Sequence, residues 1–239
     1  SFNLGAVSAM PKNGSGLHSH TTAEVFLIFS GKWKFYWGAD GKNSTILNAG
    51  DIISMPTNMF RGFENAGDKE GLIFVILGKD DPGIITWVPD VLNRAKKTGM
   101  ALLNDNSLID LSNEKMPEGK NLLKPINEEE IKTFDNYTES EFNAFISRND
   151  ERLKSEFKLD NGFICVQIIG NNFQNKINEP AIKHNTGFNL NILKAKKGMV
   201  EKLNFKKPTV LFSQNGNWKI TIDDTEVTLG SKDTISIPT

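Results

Sequence analysis

The residues best equipped for chemistry lie close together in Gly16-Leu17-His18-Ser19-His20-Thr21-Thr22-Ala23-Glu24, followed by Gly31. Side chains alternate faces along a strand, so His18 and His20 point the same way. Glu24 has the same parity and can join them once the chain passes Thr21-Thr22. Two imidazoles and one carboxylate make the facial triad that holds a divalent metal and leaves positions open for substrate or oxygen. The chain has three histidines, and two of them are here, followed closely by a carboxylate. The competing reading is a pair of surface or hydrogen-bonded histidines on a strand.

Strands are needed to position these groups, and the surrounding sequence supplies them. Residues 1–90 carry short apolar runs, among them Val25-Phe26-Leu27-Ile28-Phe29, Trp33-Lys34-Phe35-Tyr36-Trp37, Ile52-Ile53-Ser54-Met55 and Leu72-Ile73-Phe74-Val75-Ile76-Leu77. Breaks at Ser30-Gly31, Gly38 to Lys42, Ala49-Gly50-Asp51 and Gly67-Asp68 separate them, a spacing that predicts a β-sandwich or barrel. Residues 91–160 read as a partly helical connector. Pro89 opens a short helix through Ala95, Asn127-Glu128-Glu129-Glu130-Ile131 is an acidic helix start, and segments 139–145 and 151–157 are further helical candidates.

From residue 161 to 239 the strand texture returns and repeats the start of the chain. Phe2-Asn3-Leu4 matches Phe188-Asn189-Leu190, Gly31-Lys32-Trp33-Lys34 matches Gly216-Asn217-Trp218-Lys219, and Ile53-Ser54-Met55-Pro56-Thr57 matches Ile235-Ser236-Ile237-Pro238-Thr239. Three matches in order predict a duplicated β-domain. Counterparts of residues 60–78 would then follow residue 239. Aligning Gly216 with Gly31 sets Leu203, Phe205 and Thr209 opposite His18, His20 and Glu24, so the second copy is expected to be metal-free and structural.

At this point the sequence resembles the cupin superfamily. Its first motif runs His-x-His, three or four residues, Glu, six residues, Gly, and His18, His20, Glu24 and Gly31 fit it without a gap. Its second motif is matched in spacing by Gly50, Pro56, Asn58, Arg61 and Asn65. Asn58 replaces a Gly, a mild change because Asn tolerates left-handed backbone. Arg61 replaces the His that would be the fourth metal ligand. The resemblance implies an all-β fold built of double-stranded β-helices in two tandem copies, a bicupin similar to quercetin dioxygenases.

The resemblance also implies one divalent metal ion on His18, His20 and Glu24, with Fe(II) first and Mn, Ni, Zn or Cu as alternatives. It implies a dioxygenase acting on a small oxygen-bearing or anionic substrate. Cupins also include isomerases, epimerases, lyases and decarboxylases, and a non-enzymatic small-molecule binder is the rival from another class. Glu24 and Arg61 are the expected catalytic residues. Arginine has no lone pair for a metal. Arg61 therefore either anchors an anionic substrate beside the ion or pairs with Glu24 and displaces it. Phe26 and Ile28 share the parity of Glu24 and are expected to line the substrate pocket.

Composition narrows the partners. Twenty-eight basic against 29 acidic residues give a net charge of -1 and no broad basic field, which argues against nucleic acid. No apolar run approaches the ~20 residues of a membrane span. The single Cys165 sits in the apolar run Phe163-Ile164-Cys165-Val166 and reads as a buried structural thiol. Cytoplasm is the default location; the sequence does not give the oligomeric state, and exposed barrel edges leave a homodimer open.

Overall fold

A computed structural model of the chain describes residues 1–170, 172–174, 176–184 and 186–238. The first part forms nine strands: β1 (Asn3–Ala9), β2 (Gly14–His20), β3 (Glu24–Ser30), β4 (Lys32–Trp37), β5 (Asn43–Asn48), β6 (Ile52–Met55), β7 (Arg61–Asn65), β8 (Gly71–Leu77) and β9 (Ile85–Trp87). Then come α1 (Pro89–Lys97), β10 (Met100–Leu102), β11 (Leu108–Asp110), α2 (Glu128–Ile131), α3 (Glu139–Phe142) and β12 (Ile146–Ser147). Two five-stranded sheets, β1-β8-β3-β6-β12 and β5-β4-β7-β2-β9, are antiparallel throughout. This agrees with the barrel expected from the strand spacing and with the double-stranded β-helix that the resemblance implies.

Alternation fixes what each sheet buries. Phe26 of β3 meets Phe35 of β4 and Phe63 of β7 edge-on, with ring centroids 5.1 and 5.3 Å apart. Trp33, Phe35 and Trp37, at every second position of β4, are all at most 1% exposed. Burying aromatic and aliphatic side chains of this size contributes about 1.5–3 kcal/mol each. The odd residues of β3 point the other way: Val25 and Leu27, with Ile52 of β6, form a second cluster with Val166, Ile168, Ile169 and Ile182. The sheet carrying Glu24 is thus covered on both faces. Gly31 makes the tight β3–β4 turn at φ +87°, where a Cβ would lie 3.0 Å from the Gly71 Cα.

The boundary near residue 90 separates textures rather than packing units. Phe142 of α3 is fully buried and stacks on Trp37 at 4.0 Å, and Phe134 lies 4.3 Å from Phe60. β12 then extends the β6 edge. Arg152 holds this segment down by donating to the carbonyls of Gly50 (2.6 Å) and Ser147 (2.7 Å). Both short helices start with reciprocal caps, Asn127 with Glu130 and Thr138 with Glu141. These caps hold single helical turns that periodicity cannot reveal. The 151–157 segment is a 3₁₀ turn at Arg152–Ser155 that runs into a strand, because Phe157 pairs with Cys165.

The remaining strands are β13 (Glu156–Lys158), β14 (Ile164–Ile169), β15 (Asn172–Phe173), β16 (Lys176–Ile177), β17 (Leu190–Lys194), β18 (Thr209–Phe212), β19 (Trp218–Ile222), β20 (Thr225–Leu229) and β21 (Thr234–Ile237). β18 pairs with β21 around the hairpin β19–β20, as β3 pairs with β6 around β4–β5. The two nested hairpins share details. Trp33 Nε1 donates to Ser30 O (3.0 Å) and Trp218 Nε1 to Asn215 O (2.8 Å). Asp51 accepts from Asn48 N (2.9 Å) and Asp233 from Gly230 N (2.8 Å). The repeated motifs therefore mark repeated geometry. Cys165 is fully buried, and burial pushes its thiol up to about 12, which suits a structural role.

Candidate functional site

Register across one sheet places the polar cluster. His18 of β2 lies opposite Arg61 of β7 on one side and Trp87 of β9 on the other, and Arg61 lies opposite Trp37 of β4. Directly opposed residues share a face, so Trp37, Arg61, His18 and Trp87 form one row facing the barrel interior. His20 follows on the same face, its ring 5.7 Å from that of His18. Glu24 opens β3 on the facing sheet, between Met55 and Leu77.

Hydrogen bonds assign the tautomers. His18 Nδ1 lies 2.8 Å from the Gly16 carbonyl, which can only accept, so Nδ1 carries the proton and Nε2 is left as an acceptor. The Ser15 hydroxyl stands 3.3 Å from the same nitrogen. His20 Nε2 lies 3.1 Å from Glu24 Oε2, so its proton is on Nε2, and its buried Nδ1 has no partner. Arg61 donates from Nη1 to the Met59 carbonyl at 3.2 Å and makes a longer contact from Nη2 to Glu24 Oε2 at 3.5 Å. Its Nε is buried and unpartnered, as is Trp87 Nε1.

Electrostatics follows from burial. Burial, reinforced by the Arg61 guanidinium, pulls His18 down to about 4, so it is neutral at pH 7. Burial works against ionisation of Glu24, but the hydrogen bond from His20 and the charge of Arg61 outweigh it and hold the carboxyl below its usual range. The Arg61 side chain is 1% exposed and that of Glu24 12%. The pair carries one charge of each sign.

The donor types suit a divalent metal, but their arrangement does not. Among the described residues, no three His, Cys, Asp or Glu side chains are grouped to hold an ion. If His20 Nε2 ligated an ion, its proton would move to Nδ1, which is buried with no partner to accept it. The single carboxylate is already neutralised by a buried guanidinium. With Glu24 balanced by Arg61, a divalent cation there would add two uncompensated positive charges, which a low-dielectric interior resists.

A cavity of about 530 Å³ opens beside the β1–β2 hairpin and reaches the cluster. Its walls include Met10, Ser15, Phe63, His18 and Glu24, but not Arg61, His20, Phe26 or Ile28. Phe26 and Ile28 do point into the barrel, where they are 1% and 0% exposed and packed in the closed aromatic core. His184 pairs with Ser54 at 2.6 Å on the outer side of the barrel, and burial lowers its pKa. In the second region Thr209 pairs with Ile237 where Glu24 pairs with Met55, and Leu203 packs in a hydrophobic cluster. A larger cleft of about 3250 Å³ runs along that region, away from the His18–Glu24 cluster.

Sequence reasoning missed Trp87, whose ring lies 5.0 Å from His18, and the two carbonyls that orient His18 and Arg61. A Trp in the short apolar run before Pro89 was the available signal for the first; the carbonyls leave no trace in the sequence. No helix among the described residues is long and apolar enough to cross a membrane.

Comparison with a family model agrees with the fold. A family model described as "Cupin domain" matches residues 6–77. No curated protein sequence matches. A solved oxalate oxidase, studied for its mechanism, aligns at 22% identity over 38% of this chain and 48% of its own, with a TM-score of 0.34. The chain therefore spans about half the length of that protein. The DMSP lyase DddQ from Ruegeria pomeroyi aligns at 18% identity over 36% of this chain and 43% of its own, TM-score 0.32. An uncharacterized conserved protein with a double-stranded β-helix domain from Klebsiella pneumoniae aligns at 20% identity over 36% and 69%, TM-score 0.32. With its two antiparallel sheets and its match to the family model, the first barrel of this chain, over residues 6–77, is a cupin domain.

Proposed function

We propose that the cupin barrel binds a small, uncharged, hydroxyl-bearing organic molecule in the cavity that ends at His18 and Glu24. The observation that carries this is the cavity lining. It includes two acceptors, the His18 imidazole and the Glu24 carboxylate, with the neutral polar residues Ser8, Asn13 and Ser15 and no lysine or arginine. Val7, Ala9, Met10 and Phe63 supply apolar wall, and about 530 Å³ suits a compact ligand. A hydroxyl can donate to either acceptor, and a pair of hydroxyls to both; a carboxylate would face Glu24 with like charge and both with lone pairs. Arg61 serves in this role as the counter-charge of Glu24, one layer behind the ligand.

Isothermal titration with catechol and with benzoate, one ring carrying hydroxyls or a carboxylate, tests the claim. Catechol should bind the tighter of the two and weaken in Glu24→Gln. Tighter benzoate binding would overturn it.

One observation favours a metal-dependent enzyme, such as a dioxygenase, isomerase or lyase, instead. An imidazole that gives Nδ1–H to a backbone carbonyl and keeps Nε2 free, as His18 does, is poised as a metal-ligating histidine is. His18, His20 and Glu24 would have to hold the ion, which requires His20 to release Glu24. Oxygen uptake with catechol in the presence of Fe(II), abolished in His18→Ala, would support that alternative.

A further inference from the structure

We infer that Arg61 is the resident cation of this barrel: its guanidinium supplies the positive charge facing Glu24, so the site works without a divalent ion and admits one only when Arg61 is replaced. The inference rests on the metal-free form of the cluster proposed above and deepens it.

Arg61 is fixed in place more firmly than a surface ion pair. It is 1% exposed, lies directly opposite His18 in the sheet, and gives one nitrogen to the Met59 carbonyl and another to Glu24. No carboxylate other than Glu24 is near enough to be charge partner to it among the described ion pairs. The guanidinium and a divalent ion would compete for the same carboxylate oxygen, which already meets both His20 and Arg61. Two buried cations that share one anion repel each other across an interior that screens them weakly.

Removing the guanidinium changes the balance at once. Glu24 is left uncompensated, His20 is freer to turn, and space opens beside His18. An imidazole at position 61 would be the cross-strand neighbour of His18, at a Cβ separation of about 4.5–5.5 Å typical of opposed residues. It would bring a third neutral nitrogen to the same face as His18 and His20. Four donors would then surround one net negative charge, a setting that attracts a divalent ion.

The test uses Co(II), whose visible absorption reports coordination by protein nitrogen and oxygen. The full chain, R61H and the double variant R61H/H18A are titrated, and bound cobalt is counted by elemental analysis. The wild-type chain should take up no cobalt that depends on His18. R61H should bind one Co(II) per chain, roughly 100-fold or more tighter than wild type, and the double variant should lose it. Stoichiometric cobalt in wild type that disappears in H18A would overturn the inference. So would a folded R61H, judged by circular dichroism, that binds none. If R61H does not fold, the comparison of wild type with H18A decides alone. Catechol titration of the wild-type chain is a separate readout, so failure here and failure of the ligand assignment can be told apart.

Discussion

Replacing Arg61 by methionine keeps most of the side-chain volume and removes the charge. Glu24 then remains 12% exposed with a negative charge and only His20 to hold it. Breaking a buried pair by deleting one partner costs about 3–5 kcal/mol, because the other charge is left uncompensated. For a chain of this size that is a loss of roughly 6–20 °C in midpoint. Replacing both partners, Glu24→Gln with Arg61→Met, removes the uncompensated charge and should recover most of the loss. Thermal and urea unfolding of the two single variants and the double variant, followed by tryptophan fluorescence, gives the coupling energy. The reasoning fails if Arg61→Met costs less than about 1 kcal/mol, the scale of an exposed pair, or if the double variant is no more stable than Arg61→Met.

Three further outcomes follow from the same geometry. His18 has a folded pKa near 4 against an ordinary 6.5, so the unfolded chain takes up its proton first as the pH falls; stability should decline between pH 6.5 and 4 by about 3 kcal/mol, and His18→Gln should flatten that decline. Below this window Glu24, held low by His20 and Arg61, should cost further stability as it protonates. Phe142→Ala removes the ring stacked on Trp37 at 4.0 Å and should cost about 3–5 kcal/mol in equilibrium unfolding, whereas a freely tethered connector would show almost no loss. Gly62→Ala puts a Cβ 2.5 Å from the Tyr36 ring and 2.7 Å from the Ser15 carbonyl; it should destabilise by about 1–3 kcal/mol and weaken catechol binding, since Ser15 lines the cavity beside His18.

The fold was readable because two-residue periodicity and Gly-marked turns are local signals. The Gly-x-Trp-Lys matches were legible because Trp33 and Trp218 each donate to a carbonyl three residues back in a similar hairpin. Parity brought His18, His20 and Glu24 to one interior, and the chemistry of Arg61 left its two roles open. Parity carries no information on volume, however. Phe26 and Ile28 face inward as alternation requires, yet Phe35 and Phe63 fill the space in front of Phe26, and the cavity forms elsewhere, beside Met10 and Ser15. Nor does a one-turn helix show its apolar face in the sequence. Phe134 and Phe142 reach the barrel from capped turns too short to have a period, so residues 127–147 read as connector although they pack as core.

The central claim is that Glu24 is neutralised by Arg61 and not by an ion. Elemental analysis of the full chain, purified without chelators from metal-replete medium, tests it most directly. The predicted content is below roughly 0.1 first-row metal ion per chain, unchanged in His18→Ala, because metal binding needs free donors and net negative charge at the site. About one ion per chain, lost in His18→Ala, would contradict it.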